Sequence, residues 1–359
     1  MRIVAGVDCH KSSHTAVFLD PVGQVIDRIT FPTTEDGYER ALAAGEQLGC
    51  IEWGLEGAGC YGYAFSVFAR ARGARVFEVP GILTKRHRRH VPHRGKSDEI
   101  DAQAIAEVVL RDAPRLACVH PSVMQRALRL RYDRRDRLVR ERTRAVNRLR
   151  MAAVLIGVVD LPRDVTSRRA ARQLAATATR FREEVPLHPA ASAIIDELQD
   201  AADEILRLTE KIRVGERQLK ALVAEIASDL LSVHGISNVV AAGLIGHAGD
   251  LRNFRNAGAF AAKCGAAPVP CSSGRHTAVR VNTGGDRQLN RLLHVIAVAQ
   301  VATKEHTGRR YYERKRAEGK THPAAMRCLK RQLATVVYYR LSAVQQLLDG
   351  AEAADAEAA

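Results

Sequence analysis

The chain has 359 residues, enough for two or three domains with cores of their own, and carries 55 Lys and Arg against 40 Asp and Glu, a formal net charge of +15. Such an excess favours nucleic acid or an anionic membrane surface as partner. No apolar run approaches the roughly 20 residues of a transmembrane helix, and the N-terminus lacks the apolar core of a signal peptide. The expectation is therefore a cytoplasmic protein without a membrane partner. Seven cysteines, odd in number and without a CxxC pair, predict reduced thiols rather than a disulfide framework or a zinc site.

Residues 1–115 read as α/β. Strand-like stretches at 2–8, 14–19 and 24–31 come first, the last two joined by Pro21-Val22-Gly23. A helix over 35–48 follows, capped by Thr34, then a strand at 51–56, a helix at 61–72 and a strand at 75–79. Three clustered strands followed by α–β alternation is the order of an RNase H-like fold. Asp8 closes the first apolar run and Glu56 closes the run Ile51, Trp53, Leu55. Asp98 and Asp101, three apart at the start of a helix that Ser97 caps, share one face. Carboxylates from two strand ends and one helix face can converge on a hard cation such as Mg²⁺, which takes oxygen ligands. On a chain this basic, the substrate implied by such a cluster is a phosphodiester. Glu99 and Glu107 read as helix surface.

Residues 81–97 are basic, punctuated by Gly and Pro and without apolar period, which predicts a mobile loop. Lys85, Arg86, Arg88, Arg89, Arg94 and Lys96 make it a candidate nucleic-acid surface. The spacing of His87, His90 and His93 also suits a metal, but no further ligand accompanies them. Residues 122–155 predict one long helix with 11 arginines between Arg126 and Arg150, against three acids. A solvated face would mix signs, so Arg126, Arg129, Arg134, Arg137, Arg140, Arg144 and Arg148 are candidate phosphate ligands. A second helical region ends near Pro186. Over 190–228 the apolar positions Ile195, Leu198, Ala202, Ile205, Ile212, Leu219, Val223 and Ile226 fall in heptads, with Thr209 and Glu216 interrupting them. This predicts a coiled coil, either an antiparallel pair within the chain or a dimer seam. Residues 116–228 thus form a basic and coiled-coil segment, 229–348 a mainly helical unit, and 349–359 a disordered tail. Residues 231–243 resemble a helix-hairpin-helix, with Ser237 where a second glycine is usual.

Within the last unit, GAAPVPCSSGRHTAVRVNTGGDRQLNRLLH marks an irregular loop flanked by Arg275, Arg280, Arg287 and Arg291. A serine beside Gly274 among guanidinium groups could attack a phosphate. On chemistry alone, the same segment is an ordinary turn. Taken with the spacing of Asp8, Glu56, Asp98 and Asp101, the motifs GAAP, SSG, GGDRQLNRLLH and YYERKRAEGKTHPAAMRCLKRQL resemble the IS110 family of insertion-sequence transposases, over nearly the whole chain. The resemblance implies a RuvC-like DEDD domain at 1–115, a coiled-coil segment and a C-terminal transposase domain. It implies Mg²⁺ held by Asp8, Glu56, Asp98 and Asp101, and Ser273 as nucleophile, with Ser272 as the neighbour to test. It further implies DNA as substrate, a structured guide (bridge) RNA, and a homodimer or homotetramer. Asn290 departs from the broader pattern, in which many relatives place an arginine. Two rivals remain: a RuvC-type nuclease or junction resolvase using water, and a nucleic-acid-binding protein whose acids are structural.

Overall fold

Alternation in the first apolar run sets the architecture of residues 1–122, one of two units into which the computed structural model divides; the other is residues 123–359. Residues 2–88, 97–120, 122–155, 189–271 and 278–358 are described, with isolated positions between 165 and 179. Strand β1 (Ile3–Cys9) sends Ile3, Ala5, Val7 and Cys9 into one buried cluster and Val4 into another. That parity is what a strand buried on both faces requires. It pairs antiparallel with β2 (Ser13–Leu19), which pairs antiparallel with β3 (Val25–Pro32). On its other edge β1 runs parallel to β4 (Cys50–Glu56), and β4 parallel to β5 (Arg75–Glu78). A two-residue strand, β6 (Ala117–Cys118), adds antiparallel to β5 and gives the order β3-β2-β1-β4-β5-β6. Apart from β6, these are the strands and the sequence order expected of the RNase H-like arrangement.

One face of the sheet is covered by α1 (Glu35–Leu48) and α2 (Tyr63–Ala71), whose Tyr38, Leu42 and Phe65 join Phe18, Phe31 and Trp53 in a core. Thr34 caps α1, its Oγ1 accepting the Gly37 amide at 3.3 Å. The opposite face carries α4 (Asp98–Asp112), whose Ala102, Ile105, Ala106 and Val109 pack on Val4, Val17 and Leu19. Two glycines let that helix lie directly on the strands. Gly6 and Gly54 are register partners. A Cβ at Gly6 would come within 2.2 Å of the Ala102 carbonyl oxygen and the Ala106 nitrogen, and one at Gly54 within 2.2 Å of Val109 Cγ2. Asp8 and Glu56 follow these glycines by two residues, so they share the α4 face. Residues 81–88, expected as the start of a loop, are instead helical (α3, Gly81–Arg88).

In the second unit, α5 (Val123–Leu155) and α6 (Pro189–Ala224) form an antiparallel pair. Arg135 meets Glu216, Arg142 meets Thr209 and Arg148 meets Glu197. The heptad residues Ile195, Leu198, Ala202, Ile205, Ile212, Leu219 and Val223 are buried. Ile195 and Leu198 sit with Ala152 and Ala153, Ala202 and Ile205 with Ala145 and Leu149, and Leu219 and Val223 with Leu128 and Tyr132. Of the two options the heptads left open, the seam is thus an intrachain contact. The two interruptions have a cause as well: Thr209 and Glu216, seven apart, receive Arg142 and Arg135, also seven apart.

The rest of this unit packs α7 (Ser228–Leu231), α8 (Asn238–Ala248), α9 (Ala257–Lys263), α10 (Arg287–Ala302), α11 (Thr307–Ala317) and α12 (His322–Ala358) around one core. Ser237 caps α8, accepting the Val240 amide. The last helix continues to Ala358, through the segment read from sequence as a tail. A short hairpin, β7 (Val269–Pro270) with β8 (Val279–Arg280), projects between α9 and α10 in the sequence. Among the described residues, no helix is long and apolar enough to cross a membrane.

Candidate functional site

Parallel strands end on the same side, so the register that pairs Asp8 with Glu56 brings two carboxylates together at their C-terminal ends. The first turn of α4, held there by the glycine contacts, contributes Asp98 and Asp101. Ser97 caps this helix, its Oγ accepting the Ile100 amide at 3.3 Å. His10, just past β1, completes the group: its Nε2 lies 3.2 Å from Asp8 Oδ2 and 3.3 Å from Asp98 Oδ1. One ligand atom from each of Asp8, His10 and Asp98 lies within 4.8 Å of the others. Burial pushes the Asp8 carboxyl above the usual carboxylate range, and Asp101 and Asp98 push the same way while His10 opposes them. Crowded carboxylates of this kind are relieved by a cation. The spacing also fits one, since neighbouring ligands on an octahedral ion with bonds of 2.0–2.1 Å stand about 3 Å apart. The residues present therefore suit a divalent metal.

Glu56 is held from the other side. It accepts a hydrogen bond from Thr84 Oγ1 at 3.0 Å, and a Cβ at Gly81 would come within 2.5 Å of its Oε1. Next to it, Glu78 closes β5 and accepts the Gly57 amide at 3.2 Å. Burial raises the Glu78 carboxyl, against the lowering effect of the Gly57, Ala58 and Gly59 amides and with a further push from Glu56. Glu78 thus pins the turn that follows Glu56. Sequence reasoning missed His10, Thr84 and Glu78. Glu78 carried a legible signal, an acid closing an apolar strand, as Asp8 and Glu56 do. His10 carried only its place two residues after Asp8. Glu99 pairs with Arg28 at the surface.

The basic candidates divide. Lys85 is exposed on α3; Arg89, Arg94 and Lys96, like His90 and His93, lie outside the described residues, and for Arg86 and Arg88 only the helical backbone is described. On α5, Arg140 pairs with Asp136 and Arg148 with Glu197 and Glu204, while Arg129 lies 3.9 Å from Asp133. Arg126 is half-buried. Arg134, Arg137 and Arg144 are exposed and make no ion pair among the described residues.

The second chemical segment is framed by the β7–β8 hairpin, whose Cys271 amide donates to the Ala278 carbonyl at 2.7 Å. Ser272, Ser273 and Arg275 lie in the connection, outside the described residues. Gly285 crosses Gly265 so closely that a Cβ would fall 2.2 Å from the Gly265 nitrogen, which accounts for the second glycine of the Gly284-Gly285 pair. Arg280 and Arg287 are exposed. Arg291 is bonded to Asp136 and to the Tyr132 hydroxyl, each at 2.7 Å. Asn290 donates to the Cys264 carbonyl at 2.8 Å and accepts from Lys330 Nζ at 2.8 Å, a dual bond that arginine, with no acceptor, could not make.

Residues 5–156 match the IS110 DEDD transposase family model, and residues 227–313 match the model described as Transposase IS116/IS110/IS902 family. A 44.8 kDa protein of insertion element IS116 from Streptomyces clavuligerus is 24% identical, across 95% of this chain and 94% of that one. The 43.6 kDa protein of insertion element IS110 from Streptomyces coelicolor is 27% identical across 94% of each. The transposase of insertion sequence IS1328 from Yersinia enterocolitica is 32% identical over 55% of this chain and 57% of its own. Among solved structures, Thermus thermophilus RuvC in complex with a Holliday junction aligns over 33% of this chain and all of its own, at 14% identity and a TM-score of 0.27. With both family models in order along the chain and relatives matched nearly end to end, the chain belongs to the IS110 family of insertion-sequence transposases.

Proposed function

We propose that the protein is a site-specific DNA recombinase that moves its own element through a covalent phosphoserine, with Asp8, Glu56, Asp98 and Asp101 holding Mg²⁺. The observation that carries this reading is the meeting of Asp8 and Glu56 at neighbouring strand ends with Asp98, bridged by His10. When bound, the ion would polarise the scissile phosphate and lower the cost of forming an alkoxide. Ser273 Oγ bonds to phosphorus as the bond to the strand's own oxygen breaks, and the proton leaving serine is balanced by the DNA hydroxyl released. A hydroxyl of another DNA then displaces Ser273, so strands are exchanged without net loss of phosphodiester bonds. Exposed Lys85, Arg134, Arg137, Arg144, Arg280 and Arg287 supply phosphate contacts. A structured guide RNA and a dimer or tetramer complete the proposal on the strength of the family resemblance.

The test is a denaturing gel for covalent protein–DNA adducts, with Mg²⁺, RNA transcribed from the element's flanks and labelled junction DNA. An adduct lost in both Ser273→Ala and Asp8→Asn is the expected result. Cleavage without an adduct, indifferent to Ser273→Ala, would mean a hydrolytic nuclease.

A further inference from the structure

We propose that a cationic cavity beside the β7–β8 hairpin receives one nucleotide of the DNA strand being cut, gripping its backbone phosphate with Arg327 and Lys330. The identity of the strand rests on the recombinase reading; the cavity stands on its own geometry. It encloses about 630 Å³ and is lined by Arg287, Arg291 and His294 of α10 and His322, Arg327 and Lys330 of α12. No Asp or Glu lines it among the described residues. The six groups are not equivalent. Arg291 is paired with Asp136, which also holds Arg140, and His322 Nδ1 is bonded to the Tyr312 hydroxyl at 2.7 Å. Arg287, Arg327 and Lys330 make no ion pair among the described residues.

Lys330 is the informative one. It is half-buried, and its partner is the neutral Asn290 Oδ1. Burial lowers its pKa, and the nearby Arg327 charge lowers it further. A partly desolvated cation without a carboxylate is stabilised by an incoming anion, and a phosphate offers oxygens to both side chains at once. The cavity is larger than a phosphate needs, and Val281, Pro323 and Met326 give it an apolar wall suited to a sugar or base.

Two features point to a strand rather than a free nucleotide. Val281, Asn282 and Thr283, which line the cavity, follow β8 directly, so the occupant lies beside the hairpin whose connection carries Ser273. A second cavity of about 490 Å³ shares Arg327 and Asn282, has no Asp or Glu in its lining among the described residues, and adds Lys320 and Arg331. Two acid-free hollows joined at one arginine make a track for consecutive phosphates.

The test uses the full chain with Arg327→Gln and Lys330→Gln. Binding of fluorescein-labelled single-stranded DNA and RNA of one sequence is followed across a salt series, with Arg309→Gln, at a residue already paired with Glu313, as control. Each cavity substitution should lower the slope of log affinity against log salt by about 0.7, the value of one lost phosphate contact on a single strand. The loss should appear on DNA, and the control should leave the slope unchanged. Arg327 is exposed, so its removal spares the fold, and Lys330→Gln keeps a donor for Asn290. Unaltered slopes in both variants, or a loss confined to RNA, would overturn the proposal. An adduct formed by wild type together with unaltered slopes sinks the cavity alone. Altered slopes without any adduct sink the serine reading and leave the cavity standing.

Discussion

Gly6→Ala tests whether the close approach of α4 to β1 builds the metal site. The new Cβ would lie 2.2 Å from the Ala102 oxygen and the Ala106 nitrogen, where ordinary contact begins at 3.4 Å. Both obstacles are backbone atoms in the middle of a helix, so no rotamer change relieves them and α4 must lift by about 1 Å. Overpacking of this kind costs about 3 kcal/mol, near the top of its usual range. In a unit of 122 residues, that lowers Tm by about 10 °C. Trp53, the chain's one tryptophan, is buried in this unit, so its fluorescence reports the unit's melting alone. The same lift moves Asp98 away from Asp8 and His10, and Mn²⁺ affinity, read by electron paramagnetic resonance, should fall by about tenfold or more. Gly59→Ala, which places its Cβ in open space, is the control and should leave both readings near wild type. A Gly6→Ala protein that melts and binds Mn²⁺ like wild type would refute the reasoning.

His10→Ala should weaken Mn²⁺ more than Mg²⁺, because imidazole favours transition metals while carboxylates serve both; competition between the ions in a resonance titration reads this, and an equal loss of both would make His10 only an ion-pair partner. For Glu78, burial raises the folded pKa above its ordinary 4.5, so its contribution to stability is fully present below that pH and is withdrawn as pH rises through the folded value. Metal-free wild type should therefore lose Tm from pH 4.5 upward by more than Glu78→Gln does, and parallel curves would contradict the shift. Ile205→Asp and Ile212→Asp, at positions 0% and 3% exposed, each bury an unpaired charge in the α5–α6 seam and should cost about 3 kcal/mol or more in urea unfolding. Variants that keep their unfolding midpoint and change only in sedimentation would instead make the seam intermolecular.

The local signals were legible because they are short-range. Thr34 and Ser97 announced their helices by capping chemistry, the parity of Ile3, Ala5 and Val7 announced a strand, and the heptads of 190–228 announced a long amphipathic helix. The four acids could be picked out because each stands at the end of such a pattern. What the sequence could not supply is which distant surfaces meet. The partner of the heptad seam is α5 rather than a second chain, since burial against Leu149 or Ala153 depends on a reversal of the chain that no periodicity encodes. His10 became a member of the acid cluster only because Gly6 and Gly54 let α4 settle onto the sheet. The acid-free cavity of Arg327 and Lys330 likewise exists only where α10, α12 and the hairpin converge. Sequence by itself determined the capped and periodic elements and their candidate chemistry, because caps and periods act over a few residues; α3, β6 and the end of the last helix, which carry neither signal, emerged only in the structure. Tertiary structure alone decided which charges stand within bonding distance, because that depends on packing across long separations in the chain.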